Sequence, residues 1–256
     1  PQSIGSYAAL AAIAIQSNQN DQHGGQGVPH FDYAMAQGVA KSFARLYRRK
    51  LRDALEDVLD SENEAQLAQQ AAEAGEEATG HPARLEVEAE RFDAAAVDAL
   101  VKTGRLDEKT AASIVRRARR RAAESTDRDT FQAMEGFVHN LNTMHSRAGA
   151  QTPFSSINYG TDTSPEGRMV IRNILLAEDA GLGHGETPIF PIHIFKVKEG
   201  VNYNPGDPNY DLFQLSCRVS AKRLFPNYVF LDSPFNLQYY RPGHPETEVA
   251  TLGCRT

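Results

Sequence analysis

Apolar side chains recur every three or four positions through most of the first half of the chain, the spacing that puts them on one face of a helix. Residues 3–18 and 35–59 carry this spacing, the second with a basic segment in its middle. Residues 92–121 carry it too, interrupted at Gly104. The pattern predicts a buried first helix, a long amphipathic second helix and a helix pair divided at Gly104.

Residues 60–90 depart from this pattern, because they are rich in glutamate, alanine and glutamine and carry few large apolar side chains. Such a composition fits a solvated helix, and it fits a mobile insertion equally well. The sequence leaves both interpretations open.

The second half of the chain changes to short apolar runs that alternate with helix-like stretches. Residues 155–158 and 189–197 are apolar runs near proline or glycine, which predicts strands. Helical spacing runs from Ser164 to Ala180 and from Asp207 to Phe225, and the first residue of each stretch is the expected N-cap. Strand and helix in alternation predict an α/β fold with a parallel sheet.

The glycine-rich stretch 181–186 has the composition of a phosphate-binding loop. It follows a helix and precedes a strand, the reverse of the order that nucleotide-binding loops require, so a helix C-cap explains it better. The histidines of this half do not form a helical metal-ligand pair, and we predict no metal site among them. They are His139, His145, His184 and His193.

Length and charge restrict the classes of protein that fit. The chain has 256 residues, 41% of them hydrophobic, enough for one large or two small domains, and its formal net charge is −6. An acidic chain argues against a general nucleic-acid binder. The arginine cluster from Arg116 to Arg121 lacks interleaved aromatic residues, so we expect a solvated helix face or contact with the triphosphate of a nucleotide effector.

No basic stretch of the kind that opens a signal peptide stands at the start of the sequence, and no apolar run reaches the ~18 residues of a membrane helix. We therefore expect a cytoplasmic protein without a membrane partner. Because Pro1 stands where a methionine would begin a chain, we also expect a piece of a longer polypeptide.

The two cysteines, Cys217 and Cys254, are best interpreted as free thiols. Cys217 falls inside a helical run, where packing in the core is the expected role. Cys254 lies between Gly253 and Arg255, where a tight turn and a nearby cation could make a thiol reactive. Simple burial is the alternative for Cys254.

Several blocks of the sequence, in the same order along the chain, resemble the anaerobic (class III) ribonucleoside-triphosphate reductases. The blocks are Gly136-Phe137-Val138-His139-Asn140-Leu141-Asn142-Thr143-Met144-His145-Ser146-Arg147, Pro153-Phe154-Ser155-Ser156-Ile157-Asn158-Tyr159-Gly160-Thr161-Asp162, Gly185-Glu186-Thr187-Pro188-Ile189-Phe190-Pro191-Ile192, Gly200-Val201-Asn202-Tyr203 and Gly253-Cys254-Arg255-Thr256. The resemblance is near-continuous from about Phe131 to Thr256, with a weaker echo in residues 20–32.

The resemblance implies that residues 1–256 are a partial catalytic barrel domain. In this family the fold is a ten-stranded α/β barrel with a finger loop that carries a cysteine to its centre. Residues 131–256 would then form a strand-helix half-barrel with the finger loop at its C-terminal end. The helical stretch from about 35 to 125 would supply the dimer interface and the effector region.

By the resemblance, the Gly-Cys-Arg motif makes Cys254 the position of a catalytic thiyl radical. The polar residues of the first two blocks suit ribose hydroxyls or phosphates, although capping and turn roles explain them as well. These candidate substrate-binding residues are His139, Asn140, Asn142, Ser155, Ser156 and Asn158. Ser156 and Asn158 have equal parity on the predicted strand and so should share one face of the sheet.

The implied activity is the anaerobic reduction of ribonucleoside triphosphates to 2′-deoxyribonucleoside triphosphates for DNA synthesis. The family implies a glycyl radical and a structural zinc site beyond Thr256, ATP and deoxynucleotides as effectors, a homodimer, and a radical-SAM iron–sulfur activase as partner. We expect the isolated segment to be inactive. Two alternatives stay open: a non-catalytic nucleotide-binding or dimerisation module, and a different glycyl-radical enzyme.

Gln26 departs from the family pattern. By alignment of the Gly24-Gly25 pair, formate-using members carry a second cysteine at this place, whereas no cysteine precedes Cys217 in this chain. The electron donor, formate or a redoxin thiol, is therefore left open by the sequence.

Overall fold

The computed structural model describes residues 1–22, 24–59, 63–145 and 151–253. The chain divides into two compact units. The sheet unit combines Pro1–Gly38 with the chain from Asp129 onward, and the helical unit is Val39–Arg128.

The described residues form helices and parallel strands, which confirms the α/β class. The helices are α1 (Ile4–Asp21), α2 (Phe31–Glu56), α3 (Glu64–Thr79), α4 (Ala89–Lys102), α5 (Glu108–Thr143), α6 (Pro165–Ala180), α7 (Tyr210–Arg223) and α8 (Pro234–Leu237), with a 3₁₀ turn at Pro245–Thr247. The strands are β1 (Gln26–Val28), β2 (Ser155–Tyr159), β3 (Ile192–Val197) and β4 (Asn227–Phe230).

The four strands make one sheet in the order β1-β2-β3-β4, with every neighbouring pair parallel. In the register of this sheet Gly27 pairs with Ser156, and Ser156 pairs with Ile192. Because side chains alternate along a strand, these residues share one face, which we call the inner face. Asn158, Ile194 and Lys196 continue the inner face along β2 and β3.

The opposite face of the sheet packs on helices. The Phe195 ring of β3 lies 6.1 Å from the Phe213 ring of α7, and Phe213 meets Tyr228 of β4 edge-on. Tyr159 of β2 stacks edge-on against Phe195 at 5.8 Å. Helices therefore cover one face of the sheet and leave the inner face to other parts of the chain.

The helical unit has a core made largely of small residues. In α3 the side chains of Leu67, Ala68 and Ala71 are buried, and a Cβ added at Gly75 would lie 2.4 Å from the ring of Phe92 in α4. Residues 64–79 are thus a helix with one face packed in the core, whereas the sequence suggested a solvated helix or a mobile insertion. Alanine and glycine let α3 approach α4 closely without large side chains.

The arginine cluster is only partly a solvated face. Arg119 donates from Nε and Nη2 to the two carboxylate oxygens of Asp93, at 2.6 and 2.8 Å. Its guanidinium also lies 5.1 Å from the Tyr47 ring centre, and Arg117 donates to the carbonyl of Ala54 at 3.1 Å. These two arginines hold the helical unit together, whereas Arg120 is exposed.

Two predicted helix starts have different outcomes. Ser164 is the N-cap of α6, as predicted, and its hydroxyl accepts from the amide of Gly167 at 3.0 Å. Asp207 was predicted to cap the next helix, and this is wrong because α7 begins at Tyr210. The Asp207 carboxylate instead closes the preceding turn, where it accepts the amides of Gly200, Tyr203 and Asn204.

The other boundaries agree with the sequence pattern only in part, since α5 continues to Thr143 although the predicted helix pair ended at residue 121. Gly104 separates α4 from α5, and Gly181 ends α6 with a positive φ of 80° and a bond to the Ala177 carbonyl, as a C-cap should. The strand predicted from Ile189 begins only at Ile192. Within the described parts of the chain, none of the helices has the length and apolar character needed to cross a bilayer.

Candidate functional site

The inner face of the sheet is crossed by residues 248–253, which we call the thiol segment because Cys254 follows it directly. Its contacts begin at the carboxyl-terminal end of the strands, with Glu248 beside Lys196 and Thr161. They continue with Thr251 on Asn158 and Gly253 on Ser156, toward the amino end of β2. The segment therefore runs antiparallel to the strands, from their carboxyl ends toward their amino ends.

Two side chains of β2 hold the backbone of the thiol segment. The Asn158 amide makes a reciprocal pair with Thr251: its Nδ2 donates to the carbonyl at 2.9 Å and its Oδ1 accepts the amide at 3.0 Å. The Ser156 hydroxyl accepts the amide of Gly253 at 2.9 Å. These bonds fix the backbone immediately before Cys254.

Close approach of the segment depends on small residues. A Cβ at Gly27 would lie 2.6 Å from Leu252, and a Cβ at Gly253 would lie 2.4 Å from Ile192. A larger residue at Gly253 would push the backbone away from Ser156. Beside the segment lies a groove of about 520 Å³. It is lined by β4, by residues that follow β4 and by residues 249–252 of the thiol segment.

At the carboxyl ends of the strands lies a buried group of charges. The Lys196 ammonium donates to Glu248 Oε2 at 3.0 Å and to His30 Nδ1 at 2.9 Å, and the Thr161 hydroxyl donates to the same Glu248 oxygen at 2.8 Å. Burial raises the pKa of the Glu248 carboxyl above its ordinary value, although Lys196 opposes the shift. Burial, helped by Lys196, lowers the pKa of His30, so its ring accepts as neutral imidazole.

The loop after β2 is held by Asp32 in the first turn of α2. A single oxygen of this buried carboxylate accepts three backbone amides, those of Gly160 at 2.8 Å and of Thr161 and Asp162 at 3.1 Å. Burial raises the pKa of the Asp162 carboxyl to about 6. The loop that presents Thr161 to Glu248 is therefore rigidly placed.

Asn202, in the Gly-Val-Asn-Tyr block, ties together the ends of two strands. Its Nδ2 donates to the carbonyls of Gly160 and Lys196 at 2.9 and 2.8 Å, and its Oδ1 accepts the amide of Lys198. The buried Asn202 thus fixes the backbone on which Lys196 is carried.

Asn142 also uses its side chain to hold backbone groups in place. Its Oδ1 accepts the amides of Ile189 and Phe190 at 2.9 and 3.1 Å, and its Nδ2 donates to the carbonyls of Val138 and Phe190. The side chain holds the entry to β3, with both polar atoms engaged by backbone.

The remaining candidate substrate-binding residues lie elsewhere in the sheet unit. His139 and Asn140 are half-buried in the last turns of α5. Ser155 is buried on the face opposite to Ser156 and donates to the Pro153 carbonyl at 3.2 Å. Ser156 and Asn158 share the inner face, as their parity predicted, and contact with substrate stays a prediction for all six residues.

Gln26 is buried at the start of β1 and does not face the thiol segment. Its Oε1 accepts from the side-chain amide of Asn18 in α1, and by alternation it points away from the face that carries Gly27. The residue of β1 that touches Leu252 is therefore Gly27.

The predicted role of Cys217 in core packing is wrong. The residue is exposed, because the buried positions of α7 are Leu212, Ser216, Val219 and Arg223, and residue 217 falls outside that stripe. Cys254 lies outside the described residues, as do Ser146 and Arg147. Across the ranges that the structure describes, no three His, Cys, Asp or Glu side chains are grouped as around a metal ion.

Comparison with known proteins identifies the family. The model of the anaerobic ribonucleoside-triphosphate reductase family matches residues 1–256. The chain belongs to this family.

Curated reductases of the family match part of the chain. The anaerobic ribonucleoside-triphosphate reductase of Haemophilus influenzae is 37% identical over 131 residues, 51% of this chain and 17% of the relative. That of Enterobacteria phage T4 is 40% identical over 109 residues, 42% of this chain and 18% of the relative. That of Escherichia coli K12 is 36% identical over 112 residues, 43% of this chain and 16% of the relative. The matched part thus spans less than a fifth of these reductases.

Sequence patterns missed Lys196, Glu248 and Asp32 as parts of the site. One signal was present, since Lys196 is a charged residue inside an apolar strand and has the same parity as Ile192 and Ile194. A lysine at such a position needs a buried partner. Nothing local identifies Glu248 as that partner.

Proposed function

We propose that this reductase chain carries the thiol of an enzyme that converts ribonucleoside triphosphates to 2′-deoxyribonucleoside triphosphates by radical chemistry, with Cys254 as the catalytic residue. The observation that carries the proposal is the attachment of residues 251–253 to the inner face by Asn158 and Ser156. A backbone fixed up to Gly253 suits a site whose reacting group must meet one carbon of a bound sugar.

The chemistry requires a sulfur atom. Cys254, as a thiyl radical, takes the hydrogen atom from the ribose 3′ carbon. The S–H bond that forms is comparable in strength to the C–H bond that breaks. The 2′-hydroxyl then takes up a proton and leaves C2′ as water, an external donor supplies two electrons, a second proton gives C2′ its new hydrogen, and the thiol returns its hydrogen to C3′, which restores the sulfur radical. Formate and a redoxin thiol are the two classes of donor open to the family.

The group that generates the sulfur radical is a glycyl radical, which belongs to polypeptide beyond Thr256 and supplies one-electron oxidation of the thiol. The chain's own inner face covers one side of the segment that precedes this thiol, since Leu252 lies against Gly27 and Gly253 against Ile192, whereas Leu252 itself is 36% exposed. The exclusion of solvent that protects a radical from side reactions would therefore need further polypeptide over the other side. By family likeness we also propose ATP and deoxynucleotide effectors, a homodimer, an iron–sulfur activase and a zinc site beyond Thr256.

We propose further that the four strands are part of the family's ten-stranded barrel. Helices cover one face of the sheet, and the other face receives an inserted segment of chain, as expected for a barrel wall around a finger loop. β1 and β4 each have a strand neighbour on one side only among the described residues, so further strands could pair at both edges.

The test uses the native full-length polypeptide after anaerobic activation. We expect Cys254→Ala to abolish deoxynucleotide formation while the glycyl-radical signal in electron paramagnetic resonance is retained. Cys217→Ala is the matched control, because it removes an exposed thiol on α7 and should leave turnover unchanged. A Cys254→Ala enzyme that still forms deoxynucleotides would refute the proposal.

A further inference from the structure

The thiol segment is held at its far end by a buried ion pair that the reduction chemistry itself does not require. Lys196 has no exposed surface and Glu248 is 9% exposed, and their charged atoms are 3.0 Å apart. Five residues separate Glu248 from Cys254 in the chain. Any movement of this anchor would therefore be transmitted along a short, extended stretch of backbone.

Stability alone does not explain this pair. Removing two charges from water costs several kcal/mol per ion, and a buried pair often returns less than that. Here the cost of burial outweighs the attraction of Lys196, because the pKa of the Glu248 carboxyl is raised rather than lowered. A pair of apolar residues would satisfy packing at lower cost, so the charges must be explained by what they fix in place.

The geometry around the pair supports a positioning role. Two of its attachments are themselves fixed: Thr161 by the Asp32 carboxylate, and the backbone of Lys196 by Asn202. The titratable groups around the pair are His30, Asp32 and Tyr33, all at the start of α2, and Glu246 acts on the pair only through His30. Glu248 therefore has one well-defined position on the sheet.

We infer that Lys196 and Glu248 are positioning residues that set how far the thiol segment extends along the inner face, and hence where the Cys254 sulfur stands. The inference rests on the proposed function for its catalytic consequence. Asn158 and Ser156 hold the segment at Thr251 and Gly253, and the ion pair holds its other end, at Glu248, near the carboxyl ends of the strands.

The experiment uses the full-length polypeptide with three substitutions. Lys196→Met keeps the length of the side chain and removes its charge. Glu248→Gln keeps the size of the side chain and one acceptor oxygen. The second variant provides the test if Lys196→Met does not fold. Lys198→Met is the matched control. Lys198 follows Lys196 by two positions and forms its own ion pair, with Asp232 at 2.6 Å. Neither Lys198 nor Asp232 belongs to the thiol segment.

Two measurements report position without relying on turnover. We expect amide hydrogen exchange in the peptide 249–253 to accelerate roughly 10- to 100-fold in Lys196→Met, as for loss of a charge-assisted hydrogen bond, and less in Glu248→Gln. Alkylation of Cys254 by iodoacetamide, resolved from Cys217 by peptide mapping, should also change in rate. Lys198→Met should match the parent in both.

The kinetic readout separates positioning from general damage. In an activated enzyme with normal glycyl-radical content, Lys196→Met should lower kcat by about 10²-fold with little change in KM, because the sulfur is misplaced while substrate binding persists. Unchanged exchange and alkylation in Lys196→Met and Glu248→Gln, or equal changes in Lys198→Met, would overturn the inference. If the parent makes no deoxynucleotides but amide exchange is still accelerated in the variants, the proposed function is refuted. The positioning of the thiol segment by Lys196 and Glu248 would still be supported.

Discussion

At the residue scale, a second buried pair lies on the helix-covered face of the sheet. The Glu178 carboxylate and the His193 ring are fully buried 3.4 Å apart, and the Tyr159 hydroxyl lies 2.9 Å from His193 Nδ1. Burial raises the pKa of Glu178 to about 8, although Arg223 opposes the shift, and burial lowers the pKa of His193 to about 3. Near pH 7 both groups are therefore mainly neutral in the folded protein.

This pair makes stability depend on pH. With a folded-state pKa of about 8 against 4.5 unfolded, Glu178 keeps a proton that the unfolded chain releases, so its burial costs more as pH rises from 4.5 and levels off above about 8. We expect the free energy of unfolding of Glu178→Gln, relative to that of the parent, to increase between pH 4.5 and pH 8 by on the order of 2–4 kcal/mol. Thermal midpoints at pH 5 and pH 8.5 test this, and a difference that does not grow with pH would contradict it.

At the element scale, the contact of α3 with α4 depends on the absence of a side chain at Gly75. A Cβ there would lie within 2.6 Å of three ring atoms of Phe92, a fully buried side chain. Ring atoms in a packed core cannot shift without displacing their own neighbours. The glycine is therefore required by packing.

A pair of glycine substitutions tests the packing of α3 on α4. Gly75→Ala should destabilise the helical unit by about 1–3 kcal/mol through overpacking. Gly136→Ala is the control, because its added Cβ meets nothing within 4 Å in α5, and it should stabilise by ~0.5–1 kcal/mol through helix propensity. Urea unfolding monitored by circular dichroism measures both, and equal effects at the two sites would show that packing against Phe92 is unimportant.

At the scale of the whole molecule, the matched part of the chain spans 16% to 18% of the three curated reductases compared. The barrel, the glycyl radical and the zinc site that we propose would require more polypeptide than these residues. What the chain contributes is a parallel sheet with a segment bound across its inner face.

We expect the 256-residue chain alone to form no deoxynucleotides, because under the proposed function Cys254 is oxidised by a glycyl radical on other polypeptide. The measurement is deoxynucleotide formation with the activase, reductant and ribonucleoside triphosphates present, and the full-length protein is the positive control. Turnover by the chain alone would mean that thiol oxidation does not need a glycyl radical in cis.

The sequence by itself determined the local structure and the location of the thiol motif. Helix spacing predicted α1, α2 and the division at Gly104, and strand parity placed Ser156 and Asn158 on one face. These features depend on neighbours within a few residues, which periodicity records directly. Family motifs added Cys254 in the same way, as a short run of residues.

Only the tertiary structure decided what each face meets. Lys196 and Glu248 are 52 positions apart, and Asp32 binds amides about 130 positions away, so no local pattern pairs them. The exposure of Cys217 likewise depends on which side of α7 the sheet covers. Periodicity defines a face but not its partner, because the partner is set by strand order and register between distant parts of the chain.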